Sequence, residues 1–320
     1  MPVSETLNPL RIAGISYYYP PEGASLKARD GRVDLDYGGI PVPLMDADFN
    51  ALSGSEPTYD AVGRGVYQLL RANPDAPFAD RYALILRDAY PHLFSEMATE
   101  LVMLDKKDVD LPYLDRKINY LKIFALLEPA NPRFPSEIGA TYLDKALTIA
   151  ALGKTTVHLF AAEKYLHQAH TLDAGDLHTR QLAGEVAFLL GKYDAAAIFW
   201  NGIEGALPEN AAKTVAVRLS RIAAGDFSLV PAIDYLQAVG MALEAYEFGD
   251  YEEAAAIILD VMDALSQYEE FPLAEINYLL GLCYLKLDIP RSAEQYLRLA
   301  LDLRPDFSEA REELVGLGVA

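Results

Sequence analysis

The chain is poor in the residues that most catalytic and metal-binding chemistry requires. It has one cysteine, Cys283, and five histidines in 320 residues. A lone thiol builds neither a disulfide nor a cysteine-based metal cluster, and Cys283 lies inside the apolar stretch Tyr278 to Leu287, where a small core residue is expected. Nowhere do about 18 apolar residues follow one another, which excludes a simple transmembrane helix. The opening MPVSETLNPLRIAG has neither a basic start nor a long apolar run, so no export signal is expected. Positive charge is also scarce: 27 Lys and Arg against 47 Asp and Glu leave a net charge of −20. A phosphate backbone would be repelled by that field, so no nucleic-acid partner is expected. Basic peptides or basic protein surfaces would be attracted to it. A reducing, cytoplasmic setting fits these absences.

The motifs of nucleotide binding and catalysis are missing as well. Gly153-Lys154-Thr155 would close a phosphate-binding loop only if glycine stood at 148, where the chain has Thr148, and the flanks read as helix rather than strand. Gly63-Arg64-Gly65 lacks the third glycine of a dinucleotide fingerprint. His167 and His170 share a helix face, with His158 and His178 nearby in sequence, but without a fourth ligand or an HExxH pattern they read as scattered surface or interface histidines. His92, after Pro91, is weaker still. Asp34/Asp36 and Asp46/Asp48 read as solvated acids rather than general acid-base pairs. No nucleophile elbow and no Cys/His pairing of recognised spacing occurs. No cofactor, no metal and no catalytic residue are expected.

What the chain does have is helix. Apolar residues make up 52%, with alanine and leucine prominent, a composition suited to helices packed on helices. Residues 1–54 differ: Arg11 to Tyr19 favours strand, and Asp30-Gly31 between Ser25–Arg29 and Arg32–Tyr37 reads as a hairpin turn. Gly38-Gly39, Pro41 and Pro43 then break regular structure. A small β-containing arm or lid is expected there, and since an isolated hairpin is marginal in water it must dock on something. Residues 55–135 read as a helical region that includes degenerate repeats as one reading, with a start at Ser55-Glu56-Pro57, a restart at Pro91 and another start at Leu111-Pro112. Pro129, Pro132 and Pro135 mark a joint. Beyond it, over 136–320, helices are expected near 137–152, 157–172, 176–190, 193–206, 209–224, 230–248, 251–266, 273–287, 290–302 and 306–315, joined by short connections. The acidic excess is concentrated here, with 28 acidic against 13 basic residues, compared with 19 against 14 over residues 1–135.

Ala274 to Pro305 carries a pattern. Leu280-Gly281, Tyr284, Ala293, Ala300 and Pro305 stand at the seventh, eighth, eleventh, twentieth, twenty-seventh and thirty-second places of a helix-turn-helix unit of about 34 residues. Gly184, Ala196, Trp200 and Pro208 repeat it upstream, Gly249-Asp250-Tyr251 aligns with Gly191-Lys192-Tyr193, and Ala162 and Ala169 fall one period before Ala196 and Ile203. Asn277 departs from it, standing where a large apolar residue belongs, as does Val261, which replaces a small one. The gap between Ala196 and Ala254 leaves room for extra helices without an assigned partner. The chain thus resembles a tetratricopeptide repeat protein, most clearly over 274–305 and more faintly over 136–320.

That resemblance implies a mostly α fold, a right-handed α-solenoid of helix hairpins with a small β-containing N-terminal segment. It also implies a non-enzymatic adaptor that holds a peptide or protein on the concave face. In the family that face is lined from places 2, 5, 9 and 12 of each first helix, which here are His178, Gln181, Glu185 and Phe188, then Leu236, Val239, Leu243 and Tyr246, then Glu275, Tyr278, Leu282 and Leu285. A wall that grows apolar toward the C-terminus suits an amphipathic helix or an extended peptide with apolar anchors. The Lys and Asn with which some relatives clamp the C-terminal carboxylate of chaperones are replaced by Gln181 and Glu185, Val239 and Leu243, or Tyr278 and Leu282. The alternatives are a cytoplasmic chaperone for a secreted or assembling subunit, and an enzyme or regulator whose activity sits in residues 1–135. Self-association stays open.

Overall fold

The computed structural model describes residues 12–27, 34–104, 111–266 and 271–318. The chain divides into two compact units, Met1–Ile138 and Gly139–Ala320. The first holds strands β1 (Ile15–Tyr18), β2 (Ser25–Lys27), β3 (Asp34–Asp36) and β4 (Val42–Met45), followed by helices α1 (Asp46–Ala51), α2 (Tyr59–Ala72), α3 (Ala79–Ala89), α4 (Pro91–Leu104) and α5 (Leu111–Leu127). β2 and β3 form the expected antiparallel hairpin, with Leu26 opposite Leu35; its Asp30-Gly31 turn lies outside the described residues. β1 pairs with β4, Tyr18 opposite Val42 and Tyr17 opposite Pro43. The prolines suggested a break there, yet a two-stranded sheet has only edge strands, where proline is tolerated.

This strand does not stand alone. Val42 and Leu44 are buried in one core with Val62, Val66, Leu69 and Leu70 of α2 and with Tyr82 and Leu86 of α3. Gly65 makes the approach feasible, because a β-carbon at that position would sit 1.9 Å from the Pro43 carbonyl oxygen. Tyrosine hydroxyls fasten the same layer: Tyr82 donates to the Pro41 carbonyl, Tyr59 to the Ala89 carbonyl, and Tyr90 to the Tyr59 carbonyl at 2.6 Å. Thr58, rather than Ser55, caps α2 by accepting from the Ala61 amide at 3.3 Å.

The second unit is an α-solenoid of helix hairpins. Its elements are α6 (Arg133–Leu147), which begins just before the unit, a 3-10 helix (Ile149–Lys154), α7 (Thr155–Leu172), α8 (Leu177–Leu189), α9 (Tyr193–Trp200), a 3-10 turn (Glu204–Ala206), α10 (Glu209–Ala224), α11 (Ala232–Phe248), α12 (Tyr251–Leu265), α13 (Leu273–Lys286), α14 (Pro290–Leu303) and α15 (Ser308–Gly316). α6 starts earlier than expected because Pro135 sits within its first turn, where a missing N–H removes no helical bond. α9 stops at Trp200 instead of running to 206, since Gly202 adopts a left-handed conformation at φ 79°.

Consecutive helices pack as pairs, α8 on α9, α11 on α12 and α13 on α14, with α12 on α13 and α14 on α15 joining successive pairs. The small residues of the pattern do the packing it demands. A β-carbon on Gly184 would lie 2.3 Å from the Trp200 indole nitrogen, and one on Gly281 would lie 2.9 Å from Leu297 Cγ, each partner standing sixteen residues on. Ala162, Ala169, Ala196, Ala254, Ala293 and Ala300 are all fully buried. Asn277, the polar intruder, is buried and donates from Nδ2 to the Leu273 carbonyl at 2.7 Å, so its amide is satisfied within its own helix.

The unassigned gap resolves unevenly. α10 lies against α9 and the Glu204–Ala206 turn, whereas α11 seats on α7 and the Ile149–Lys154 helix, with Gly240 against the backbone of Leu152 and Gly153. α10 is therefore an addition to the hairpin series, and α11 begins the next pair.

Candidate protein-interaction face

The twelve residues read from the repeat pattern divide by burial. His178 of α8 is exposed; Gln181 and Glu185 of α8, Leu243 and Tyr246 of α11, and Glu275, Tyr278, Leu282 and Leu285 of α13 are half-buried. Phe188 is 6% exposed and Leu236 and Val239 are fully enclosed, so these three are interior and present nothing to a guest. Phe188 lies under the Arg218 guanidinium at 4.5 Å and against Tyr193 and Trp200. Leu236 and Val239 are sealed because α11 packs on α7 and the 3-10 helix before it. The repeat pattern alone carried no sign of that contact.

The remaining positions form two clusters. Gln181 and Glu185 line a cleft of about 290 Å³ with Trp200 and with Ala211, Thr214, Val215 and Arg218, the last four contributed by α10. The second cluster lies on α11, α13 and α15. Tyr278 and Leu285 pack into a small core with Phe307 and Leu314, the Tyr278 and Phe307 ring centres 4.9 Å apart. Glu275 accepts from Arg304 at 2.6 Å, and the Arg304 guanidinium lies 3.7 Å over the Phe307 ring. The C-terminal helix thus covers part of the wall that the pattern left open.

α15 also changes the electrostatics of what stays accessible. Burial, then the charges of Glu313 and Glu309, with Tyr246 and Glu312 also contributing, raise the pKa of the Tyr278 hydroxyl. Burial, the neighbours Cys283 and Tyr251, and again Glu313, raise that of Tyr246. Two half-exposed tyrosines on first helices of successive hairpins therefore share one acidic neighbour. The acidic run Ser308-Glu309-Ala310-Arg311-Glu312-Glu313 was legible as helix, but nothing local in the sequence said that it folds back over Tyr278.

Several of the other polar residues singled out have structural partners. Thr155 donates its hydroxyl to the Ala146 carbonyl at 2.8 Å, and Gly153-Lys154 ends the 3-10 helix. Asp46 accepts from Ser16 at 2.7 Å, and Asp48 pairs with Arg64 at 2.8 Å. His158 is buried rather than on the surface and stacks on Tyr142, and His170 meets Phe199 edge-on at 5.2 Å. Among the described residues no group of three or more His, Cys, Asp or Glu is placed to hold a metal ion. Cys283 is fully buried, and burial pushes its thiol up to about 11. No described helix is long and apolar enough to cross a membrane.

No protein-family model matches the chain, and no curated protein matches it. Among solved structures, a crystal structure of MamA protein is 15% identical, covering 67% of this chain and 94% of its own, at a TM-score of 0.26. A tetratricopeptide repeat protein from Parabacteroides merdae ATCC 43184 is 14% identical, covering 81% and 91% respectively, at a TM-score of 0.27. The APC/C hetero-tetramer Cut9-Hcn1 gives a chain 15% identical, covering 85% of this chain and 60% of that one, also at 0.27. Superposition this loose bears no weight, and the hairpin assignment rests on the glycine and alanine packing above.

Proposed function

We propose that residues 139–320 form a non-enzymatic protein-interaction scaffold that takes a basic, amphipathic segment of a partner protein on the ledge made by α11, α13 and α15. The observation that carries this reading is the placement of Tyr246 and Tyr278, half-exposed on first helices of successive hairpins, beside Glu309, Glu312 and Glu313. Tyrosine offers a large apolar surface at small entropic cost and a hydroxyl for the wet rim, which is why it is frequent at interfaces. Leu243 and Leu282 extend the apolar strip. The glutamates steer lysine and arginine side chains toward it and account for little of the final affinity, which gives binding a marked salt dependence. The cleft at Gln181 and Glu185 offers a second, more polar contact for a longer guest.

A displayed library of random helical peptides selected on the immobilised chain tests this reading. Enriched peptides should carry Lys or Arg on one face and apolar residues at i, i+3, i+4 and i+7 on the other. Tyr278→Glu and Leu282→Glu should lower their affinity at least tenfold while far-UV circular dichroism stays constant. Selection of acidic or unpatterned peptides, or affinities unmoved by both substitutions, would remove the ledge as the docking site.

A further inference from the structure

Residues 1–138 contain a cleft of about 740 Å³, within the size range of small-molecule sites. α2 contributes Arg71, α4 contributes Glu96, Glu100 and Met103, and α5 contributes Tyr113 and Arg116. Most of the charge there is already engaged. Glu100 accepts from Arg116 at 2.7 Å and from the Tyr120 hydroxyl at 2.5 Å. Burial works to raise the Glu100 pKa, but the bonds from Tyr120 and Arg116 and the charges of Arg116 and Arg71 outweigh it, and the carboxyl is held below its usual range. Glu96 accepts from the Tyr67 hydroxyl at 3.1 Å.

Arg71 differs from its neighbours. Its guanidinium carbon lies 5.1 Å from the centre of the Tyr67 ring and 6.0 Å from that of Tyr120, while its backbone carbonyl accepts from Asn119 at 2.9 Å. Among the described residues the guanidinium donates to no carboxylate. Aromatic faces offset the charge of a cation without using its N–H donors, so Arg71 presents an unfilled fork of donors to the cleft. On the same cleft Met103 is 61% and Tyr113 40% exposed, the Arg116 guanidinium carbon lying 5.6 Å from the centre of the Tyr113 ring.

We propose that this cleft binds a small organic monoanion, its carboxylate held by Arg71 and its apolar or aryl body laid against Met103 and Tyr113. A planar carboxylate matches the guanidinium fork in geometry as well as charge. A phosphate ester's second negative charge would lie beside Glu96 and Glu100 with Arg116 already paired to Glu100, and an organic cation would meet the charge of Arg71. The site is separate from the tyrosine ledge, and either can fail without the other.

Calorimetric titration of the full chain with phenylacetate, phenyl phosphate, phenethylammonium and benzyl alcohol tests the assignment. Phenylacetate should bind best. Arg71→Gln should weaken it at least tenfold and Arg71→Lys less, while Arg87→Gln, at an exposed arginine paired with Asp88, should leave it unchanged. Met103→Glu, at an exposed position, should also weaken phenylacetate at least threefold, and it keeps the test valid if Arg71→Gln disturbs folding. Absence of phenylacetate binding, equal binding of all four probes, preference for phenyl phosphate, or full affinity in Arg71→Lys and Met103→Glu alike would overturn the proposal.

Discussion

Gly184→Ala places a methyl group where the chain has no room for one. The new carbon would lie 2.3 Å from the Trp200 indole nitrogen, 2.5 Å from Cδ1 and 2.7 Å from Cε2. The indole is 1% exposed and packed beside Phe188 and Arg218, so it can retreat only by giving up those contacts toward the adjoining cleft. Overpacking of this type costs about 1–3 kcal/mol. Displacement also breaks the bond from the indole N–H to the Gln181 carbonyl, now 3.1 Å, and leaving a buried donor unpaired costs about 1–3 kcal/mol more. Alanine's better helix propensity returns about 1 kcal/mol. The net loss is about 1–5 kcal/mol. Trp200 is the chain's sole tryptophan, so urea denaturation followed by its fluorescence reads this hairpin directly, and the native emission maximum should shift to the red. Gly205→Ala is the control, since a β-carbon there meets nothing within 4 Å. Combining Gly184→Ala with Trp200→Phe, followed by circular dichroism, should cost less than the sum of the two changes. An unchanged midpoint and emission maximum in Gly184→Ala, or strict additivity in the double variant, would refute the reasoning that Gly184 exists to admit the indole.

Three further expectations follow from the same packing. Gly65→Ala should be worse, because the struck atoms are the backbone of Pro43 and Leu44; if β4 lifts away, the burial of Val42 and Leu44 is lost, about 3–6 kcal/mol, measurable as a fall in the denaturant midpoint by circular dichroism. Phe307→Ala should cost about 3 kcal/mol and detach α15 from Tyr278, read as a lower melting temperature together with greater solvent exposure of tyrosine. The thiol of Cys283 ionises near 9.0 when unfolded and at about 11 when folded, so between those values the unfolded state gives up a proton that the folded state keeps. Stability should therefore fall as pH rises from 9 toward 11, more steeply in the native chain than in Cys283→Ala; parallel urea-midpoint profiles would exclude this contribution.

Much of the second unit was legible because its signals are local. The sixteen-residue step from Gly184 to Trp200 recurs from Gly281 to Leu297, and the buried alanines fall in register, so small residues facing large ones mark those two hairpins. The first unit was less legible for the opposite reason. Pro41 and Pro43 are breakers by local rule, and only the pairing with β1 and the close approach of Gly65, both long-range facts, make Val42–Met45 a strand. The interaction face failed at three positions on the same principle. Phe188, Leu236 and Val239 occupy places that face outward in an ideal repeat, but an inserted 3-10 helix and the added helix α10 supply neighbours that no fixed period encodes.

That failure sharpens where a partner can bind. A groove lined by apolar residues attracts a guest only where the residues remain accessible, and in this chain the series of first helices alternates between sealed and open stretches. Among the four repeat-pattern positions of α11, Leu236 and Val239 are enclosed and Leu243 and Tyr246, one and two turns further along, are partly open. α13 is half-covered by Phe307 and Leu314, yet Tyr278 and Leu282 stay partly accessible. On α11 and α13 the open stretches carry Tyr246 and Tyr278, beside the glutamates of α15, while the open stretch of α8 is the separate cleft at Gln181 and Glu185. Burial of about 100 Å² of apolar surface is worth about 2.5 kcal/mol, whereas an exposed charge pair contributes about 0–1 kcal/mol. On the proposed ledge the tyrosines and leucines would therefore supply most of the affinity and the glutamates the selectivity for basic segments. Raising salt from 50 to 500 mM should accordingly slow association of a selected basic peptide by a larger factor than it speeds dissociation, and Tyr278→Glu should do the reverse.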